Sequence, residues 1–204
     1  MNNLKHVRML TSNFSAYQGL KGVPLGLLLL VISLWASAKT GPAPALFFPV
    51  GISIVFIYLF WVVDQYYNRV FGMVVLTKKQ KIINGTRDAL IGTGALIAFW
   101  VDVSKTPSFS MLGFIFAGAI VFDYVRISRH TNERLLLFYP ISALLMIALS
   151  LLPVFGINWW IPLGIKALIL GVCAAAGLVF SVLGILVHIS FENLLLHTTE
   201  VSGE

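Results

Sequence analysis

The chain has 204 residues, 58% hydrophobic and only 11% charged, with a formal net charge of +6 and a mean hydropathy of +0.92. Soluble domains carry about 25% charged residues, so this composition excludes a water-soluble globule and leaves an integral membrane protein. One cysteine, Cys173, excludes an internal disulfide and a multi-cysteine metal centre.

Residues 1–21 form a basic arm in which Val7, Leu10, Phe14 and Tyr17 recur at helical spacing, with Lys5 and Arg8 off that stripe. The pattern suits a short cytoplasmic helix lying in the interface. The apolar run that follows ends in Ala36-Ser37-Ala38, a small-residue pattern like that of a cleaved signal. The arm is long for a secretory leader, so the run is expected to stay as a first span.

A hydrocarbon core about 30 Å thick needs roughly 20 apolar residues in helical form, because lipid offers no partner to an open backbone group. Candidate spans run over 22–38, 44–63, 89–103, 109–125, 135–155 and 159–189, followed by a cytoplasmic tail over 190–204. The third is short, contains Gly92, Thr93 and Gly94 and nears its end at Asp102, so a re-entrant loop competes with a crossing there.

Charge asymmetry favours the crossing, since Lys and Arg collect in short cytoplasmic loops. With six spans, Lys5, Arg8, Lys21, Arg69, Lys78, Lys79, Lys81, Arg87, Arg126, Arg129 and Arg134 lie inside. Lys39 and Lys105 lie outside, and Lys166 is within a span. The expected fold is therefore all-α: one polytopic membrane domain over 1–204 with six transmembrane helices arranged as three hairpins. Both termini are cytoplasmic and the membrane is the plasma (inner) membrane.

A weak repeat supports the hairpins. "WASAKTGP" (35–42) and "WVDVSKTP" (100–107) turn the first two, and each following span ends in Val-x-Asp at Asp64 and Asp123. The third hairpin turns through "LLPVFGINWW" (151–160) and lacks those markers. Asp64 with Tyr66, Tyr67 and Arg69, and Asp123 with Tyr124 and Arg126, read as interfacial anchors at headgroup depth. A paired carboxylate site, Asp64, Asp123 and Arg126, is the functional alternative.

Lys166 is the intramembrane residue that most needs a partner. At about 100° per residue it shares a stripe with Leu170, Ala174, Gly177, Ser181, Gly184 and His188. Small residues let helices approach closely in lipid, so the stripe is expected to face the bundle. A snorkelling Lys166 that touches headgroups is one reading; an inward Lys166 that holds an anion, or that pairs with Asp102, the acid best placed in depth, is the other, which makes Lys166, Asp102 and His188 a candidate polar site.

Chemistry-bearing motifs are sparse. The sequence has no phosphate-binding glycine loop, HExxH or G-x-S-x-G elbow. His188 and Glu192 share a helix face and His197 falls off it, so no metal or other cofactor is expected. The basic charge sits beside spans, which points to anionic headgroups at the cytoplasmic face and away from nucleic acid. The expected function is non-enzymatic, a small transporter subunit or an accessory subunit in contact with other membrane subunits. The alternative is an interfacial enzyme acting on a phospholipid or isoprenoid phosphate through Asp64, Asp123, Arg126 and His130.

Overall fold

The computed structural model describes residues 19–38, 47–70, 78–105, 108–128, 137–165 and 167–201. Among them are six α-helices and no strand: α1 (Gly22–Ala38), α2 (Phe47–Val70), α3 (Lys78–Lys105), α4 (Met111–Ser128), α5 (Phe138–Leu151) and α6 (Leu168–Val201). Four stretches are long and apolar enough to cross a membrane: Gly19–Ala38, Val50–Val70, Phe138–Phe155 and Leu168–Ser190. α4 carries a shorter apolar stretch, Met111–Val125.

The prolines sit where a helix tolerates them. Pro24 and Pro140 fall in the first turns of α1 and α5, where an amide has no intrahelical partner to lose. Pro153 and Pro162 open two 3₁₀ turns, Leu152–Phe155 and Ile161–Leu163, each closed by a glycine in the left-handed region, Gly156 (φ 79°) and Gly164 (φ 72°). The expected helical span over 159–189 is corrected accordingly. Residues 159–165 belong to a folded turn, and α6 begins at Leu168, because two Pro-Gly pairs break the helix before it can start. The turn is pinned to the bundle by Trp159 Nε1, which donates to the Leu149 carbonyl at 2.9 Å.

The doubtful third segment forms one continuous helix of 28 residues, with no loop at Gly92 to Gly94. At about 1.5 Å per residue it is about 42 Å long and extends through the polar residues Lys81 to Asp88 that precede the expected span.

α6 is the central helix and touches α1, α3, α4 and α5. Its most extensive partner is α1, which runs antiparallel along it. The small-residue stripe makes this possible. A Cβ added at Gly177 would lie 2.5 Å from the Gly26 carbonyl oxygen, and one at Gly184 would lie 2.6 Å from that of Gly19. Only backbone without a side chain fits at that separation, and backbone cannot swing aside.

On the other side of α6, an apolar cluster joins Ala117 and Ile120 of α4, Ala143 and Met146 of α5, and Val172, Ala176, Val179 and Leu183 of α6. A smaller one joins Ala98, Leu112, Ile169 and Cys173. Serines remain compatible with these contacts by donating back into their own helices. The buried Ser150 donates to Met146 O at 2.7 Å, and the half-buried Ser181 donates to Gly177 O at 2.8 Å. Ser33 donates across the helix pair to the Leu170 carbonyl.

Successive helices alternate in direction, which gathers the polar residues at two ends. One end, here the paired end, holds the start of α1, the end of α2, the first half of α3, and the ends of α4 and α6. The other, the capped end, holds Asp102, Ser110 and the 152–165 turn.

Gly177→Ala is expected to destabilise the protein by about 1–3 kcal/mol through overpacking. Gly92→Ala, where an added Cβ meets nothing within 4 Å, should be neutral or stabilising by up to about 1 kcal/mol. The buried Cys173 thiol provides the measurement, as temperature-dependent labelling by a fluorogenic maleimide in mild detergent. Equal midpoints for the two variants would contradict the close-approach account.

Candidate functional site

At the paired end, α1 starts against the ends of α2 and α6. Lys21 Nζ forms an ion pair with Asp64, and Asn68 Nδ2 donates to the same carboxylate at 3.3 Å. One turn along α2, Tyr67 is fully buried. Its hydroxyl accepts from the Leu20 amide at 3.2 Å and lies 3.1 Å from His188 Nδ1. The Glu192 carboxylate that faces Nε2 only accepts, which puts a His188 proton on Nε2. Nε2 then donates to Glu192 Oε1 at 3.2 Å, and the Tyr66 hydroxyl reaches the same oxygen at 3.4 Å. A continuous chain thus runs from a helix-start amide through Tyr67 and His188 to a half-exposed carboxylate.

The expectation that Tyr66 and Tyr67 both anchor the protein at headgroup depth is corrected for Tyr67. Its ring is enclosed by protein, in edge-on contact with Tyr66 and His188, because the Leu20 amide needs an acceptor that lipid cannot supply.

The second paired-end group belongs to α3 and α4. Arg87 Nε donates to Asp88 Oδ1 at 2.7 Å, Nη2 lies 2.5 Å from the same oxygen, and Nη1 donates to Asp123 Oδ1 at 3.3 Å. Asp64 and Asp123, paired in the sequence reading, are therefore held by different cations on different helices. The Arg126 side chain and His130 lie outside the described residues.

Two cavities adjoin Arg87. One, of about 160 Å³, is walled by Arg87, Asp123, Tyr139, Phe180, Leu183 and Gly184. The other, of about 610 Å³, is an apolar groove between α3 and α4 whose walls include Ile83, Leu90, Ile91, Phe114 and Phe122.

Asp102 dominates the capped end. Only 6% exposed, it accepts from Ser110 Oγ at 2.6 Å, from the Met111 amide at 2.9 Å and from the Leu112 amide at 3.1 Å. Ser110 Oγ in turn accepts from the Gly113 amide at 3.3 Å. The carboxylate of α3 and the hydroxyl of Ser110 together cap α4, satisfying amides that have no partner within the helix and placing a negative charge at the positive end of its dipole. Lys166, the partner considered for it, lies outside the described residues. Sequence reasoning missed the cap, although Ser110 immediately before an apolar run is a helix-start signal.

Among the described residues no three of His, Cys, Asp and Glu gather in a way that could hold a metal. Comparison of the chain with models of protein families, with curated proteins and with solved structures finds no match.

Asp102→Ala should lower stability by about 1–3 kcal/mol, because it leaves buried amides of α4 and the Ser110 hydroxyl without their acceptor. Asp102→Asn, which keeps one acceptor oxygen, should lose roughly half as much. Thermal unfolding of both variants in detergent checks the order; an alanine variant as stable as the wild type would refute the capping role.

Proposed function

We propose that this protein is a non-enzymatic membrane subunit that works by packing against another membrane protein, as an accessory subunit or as part of a transporter. The observation that carries this reading is the outward face of α3. Gly85, Ala89, Gly92 and Thr93 are all exposed there, and an added Cβ at Gly85 or Gly92 meets nothing within 4 Å. Asp88, beside this face, has a side chain 63% exposed.

Three physical points support a protein partner on that face. A stripe of small residues gives lipid tails little to pack on but lets a helix come close. The equivalent stripe on α6 is covered by α1 in this same molecule. Furthermore, α3 is not among the helices long and apolar enough to cross a membrane unaided, and it carries the Arg87–Asp88 ion pair beside this face, which a protein partner would shield from lipid.

The proposed topology has six crossings in three hairpins, an interfacial arm over 1–21 and both termini in the cytoplasm, in the plasma (inner) membrane. Its warrant is the charge distribution, with Lys21, Lys78, Lys81 and Arg87 toward the paired end and Lys105 at the other. Along α3, Arg87 and Asp102 are separated by about 22 Å, so in a core about 30 Å thick both polar layers stay within snorkelling reach of a boundary. Anionic headgroups at the cytoplasmic face are the proposed counter-charge for the basic loops.

An enzymatic reading needs Asp64, Asp123, Arg126 and His130 to act together. Asp64 and Asp123 each serve a separate ion pair, and no other observation favours that reading.

Gentle solubilisation from native membranes should recover the chain with a second membrane protein. Gly92→Leu should abolish the association while leaving the unfolding midpoint of the purified protein unchanged. Recovery of the chain alone, or a complex indifferent to Gly92→Leu, would overturn the reading.

Topology has its own test. In a Cys173→Ala background, Lys105→Cys and Asn158→Cys should react with an impermeant thiol reagent added outside, and Lys79→Cys and Arg129→Cys should not. Labelling of Arg129→Cys from outside would eliminate six crossings.

A further inference from the structure

The longest stretch of the sequence without a charged residue or histidine runs from Leu135 to Ile165, and it contains the whole 152–165 turn. Within that turn every residue is apolar, proline or glycine except Asn158. The turns of the first two hairpins differ, since each carries a lysine, Lys39 or Lys105.

The backbone of the turn closes on itself. The amides of Gly156, Ile157, Ile161, Leu163, Gly164 and Ile165 donate to carbonyls within the turn at 2.9–3.2 Å, and Pro153 and Pro162 bring no amide to satisfy. Such closure suits hydrocarbon, which offers no partner to an open amide. The side chains face outward instead: Phe155 is 76% exposed and Leu163 is 65% exposed, with Val154, Ile157 and Ile161 exposed beside them.

Nor does the turn stand clear of the helices. Trp159 is tied to the Leu149 carbonyl, and an added Cβ at Gly171 would meet Trp160 Cβ at 2.8 Å and the Trp159 ring at 3.2 Å. Leu149 and Gly171 both belong to stretches long and apolar enough to cross a membrane, so the turn folds back to the depth of those spans and continues their apolar surface. We propose that the 152–165 turn is embedded in the bilayer, seated among the acyl chains of the leaflet at the capped end, with Asn158 at the headgroups.

Membrane thickness favours lipid over water as the surroundings of this turn. The Ser110 amide donates to the Ser150 carbonyl at 3.2 Å, which sets the end of α5 level with the Asp102 and Ser110 cap. Were the turn in water, the hydrocarbon boundary would fall at that level. Arg87 lies about 22 Å away along α3, so in a core about 30 Å thick it and the carboxylates of Asp88 and Asp123 would sit about 8 Å inside the opposite boundary. Aspartates are too short to snorkel that far, and charge at such depth is costly. Raising the capped boundary past the turn moves these ion pairs outward by the same amount. The 3₁₀ turn Leu152–Phe155 by itself spans about 8 Å, at about 2 Å per residue. The inference needs only that α5 and α6 cross the membrane, whichever side the capped end faces, so it is separate from the partner proposed on α3.

The test is spin-label depth, measured on the full chain in phosphatidylcholine nanodiscs. Single cysteines, Phe155→Cys, Asn158→Cys and Leu163→Cys in a Cys173→Ala background, carry a nitroxide. Power saturation then reads its collisions with oxygen, which concentrates in hydrocarbon, and with a water-soluble nickel chelate. Oxygen is expected to dominate several-fold at positions 155 and 163, and the chelate at position 158. Chelate dominance at 155 and 163 would put the turn in water, and exclusion of both reagents there would mean that another protein or a second copy covers it; either result overturns the proposal. A second measurement needs no label. Leu163→Asp should lower the unfolding midpoint in nanodiscs by several degrees, because it places a carboxylate in hydrocarbon, while Asn158→Asp should leave it unchanged. Equal midpoints for these two variants would also overturn the proposal.

Discussion

The close approach of α1 to α6 organises this molecule. In lipid no hydrophobic force draws two apolar helices together, so association must come from packing and from hydrogen bonds that lipid cannot replace. Glycine at 19, 26, 177 and 184 brings the two backbones close enough for both, and Ser33 then reaches the Leu170 carbonyl across the seam. With α1 fixed, its first turn is carried to the ends of α2 and α6, where Leu20 meets Tyr67 and Lys21 meets Asp64.

The polar residues follow a common rule, which is to complete what helix ends leave open. Asp102 and Ser110 receive the first amides of α4, and Tyr67 receives an amide at the start of α1. An unsatisfied amide in hydrocarbon costs several kcal/mol, so a buried carboxylate or phenol is the less costly solution. Residues that look catalytic by type, a tyrosine, a histidine and a glutamate in hydrogen-bond contact, meet where this architecture brings the ends of α2 and α6 together. The same reasoning makes the outward face of α3 conspicuous, because Gly85 and Gly92 are exposed there and an added Cβ at either meets nothing within 4 Å.

Several features were legible in the sequence from residue spacing alone. Hydropathy and length mark the apolar helices, and the small-residue stripe at Ala174, Gly177, Ser181 and Gly184 marks the face of α6 that meets another helix. His188 and Glu192, four apart, meet as that spacing implies. These are local properties, governed by the 3.6-residue period and by the cost of an open backbone in lipid.

Which helix lies on which face was decided only by the tertiary structure. Nothing in the spacing pairs Asp64 with Lys21, Asp123 with Arg87, or Tyr67 with both Leu20 and His188, because such pairs join residues 36 to 121 apart in sequence. They form when antiparallel helices bring distant turns to one depth. The start of α6 at Leu168 depended likewise on Pro-Gly turns that hydropathy averages away. Composition could show that the chain belongs in a membrane. The cavities beside Arg87 are walled by residues of helices distant in sequence, so they exist only once those helices pack, and sequence order does not record them.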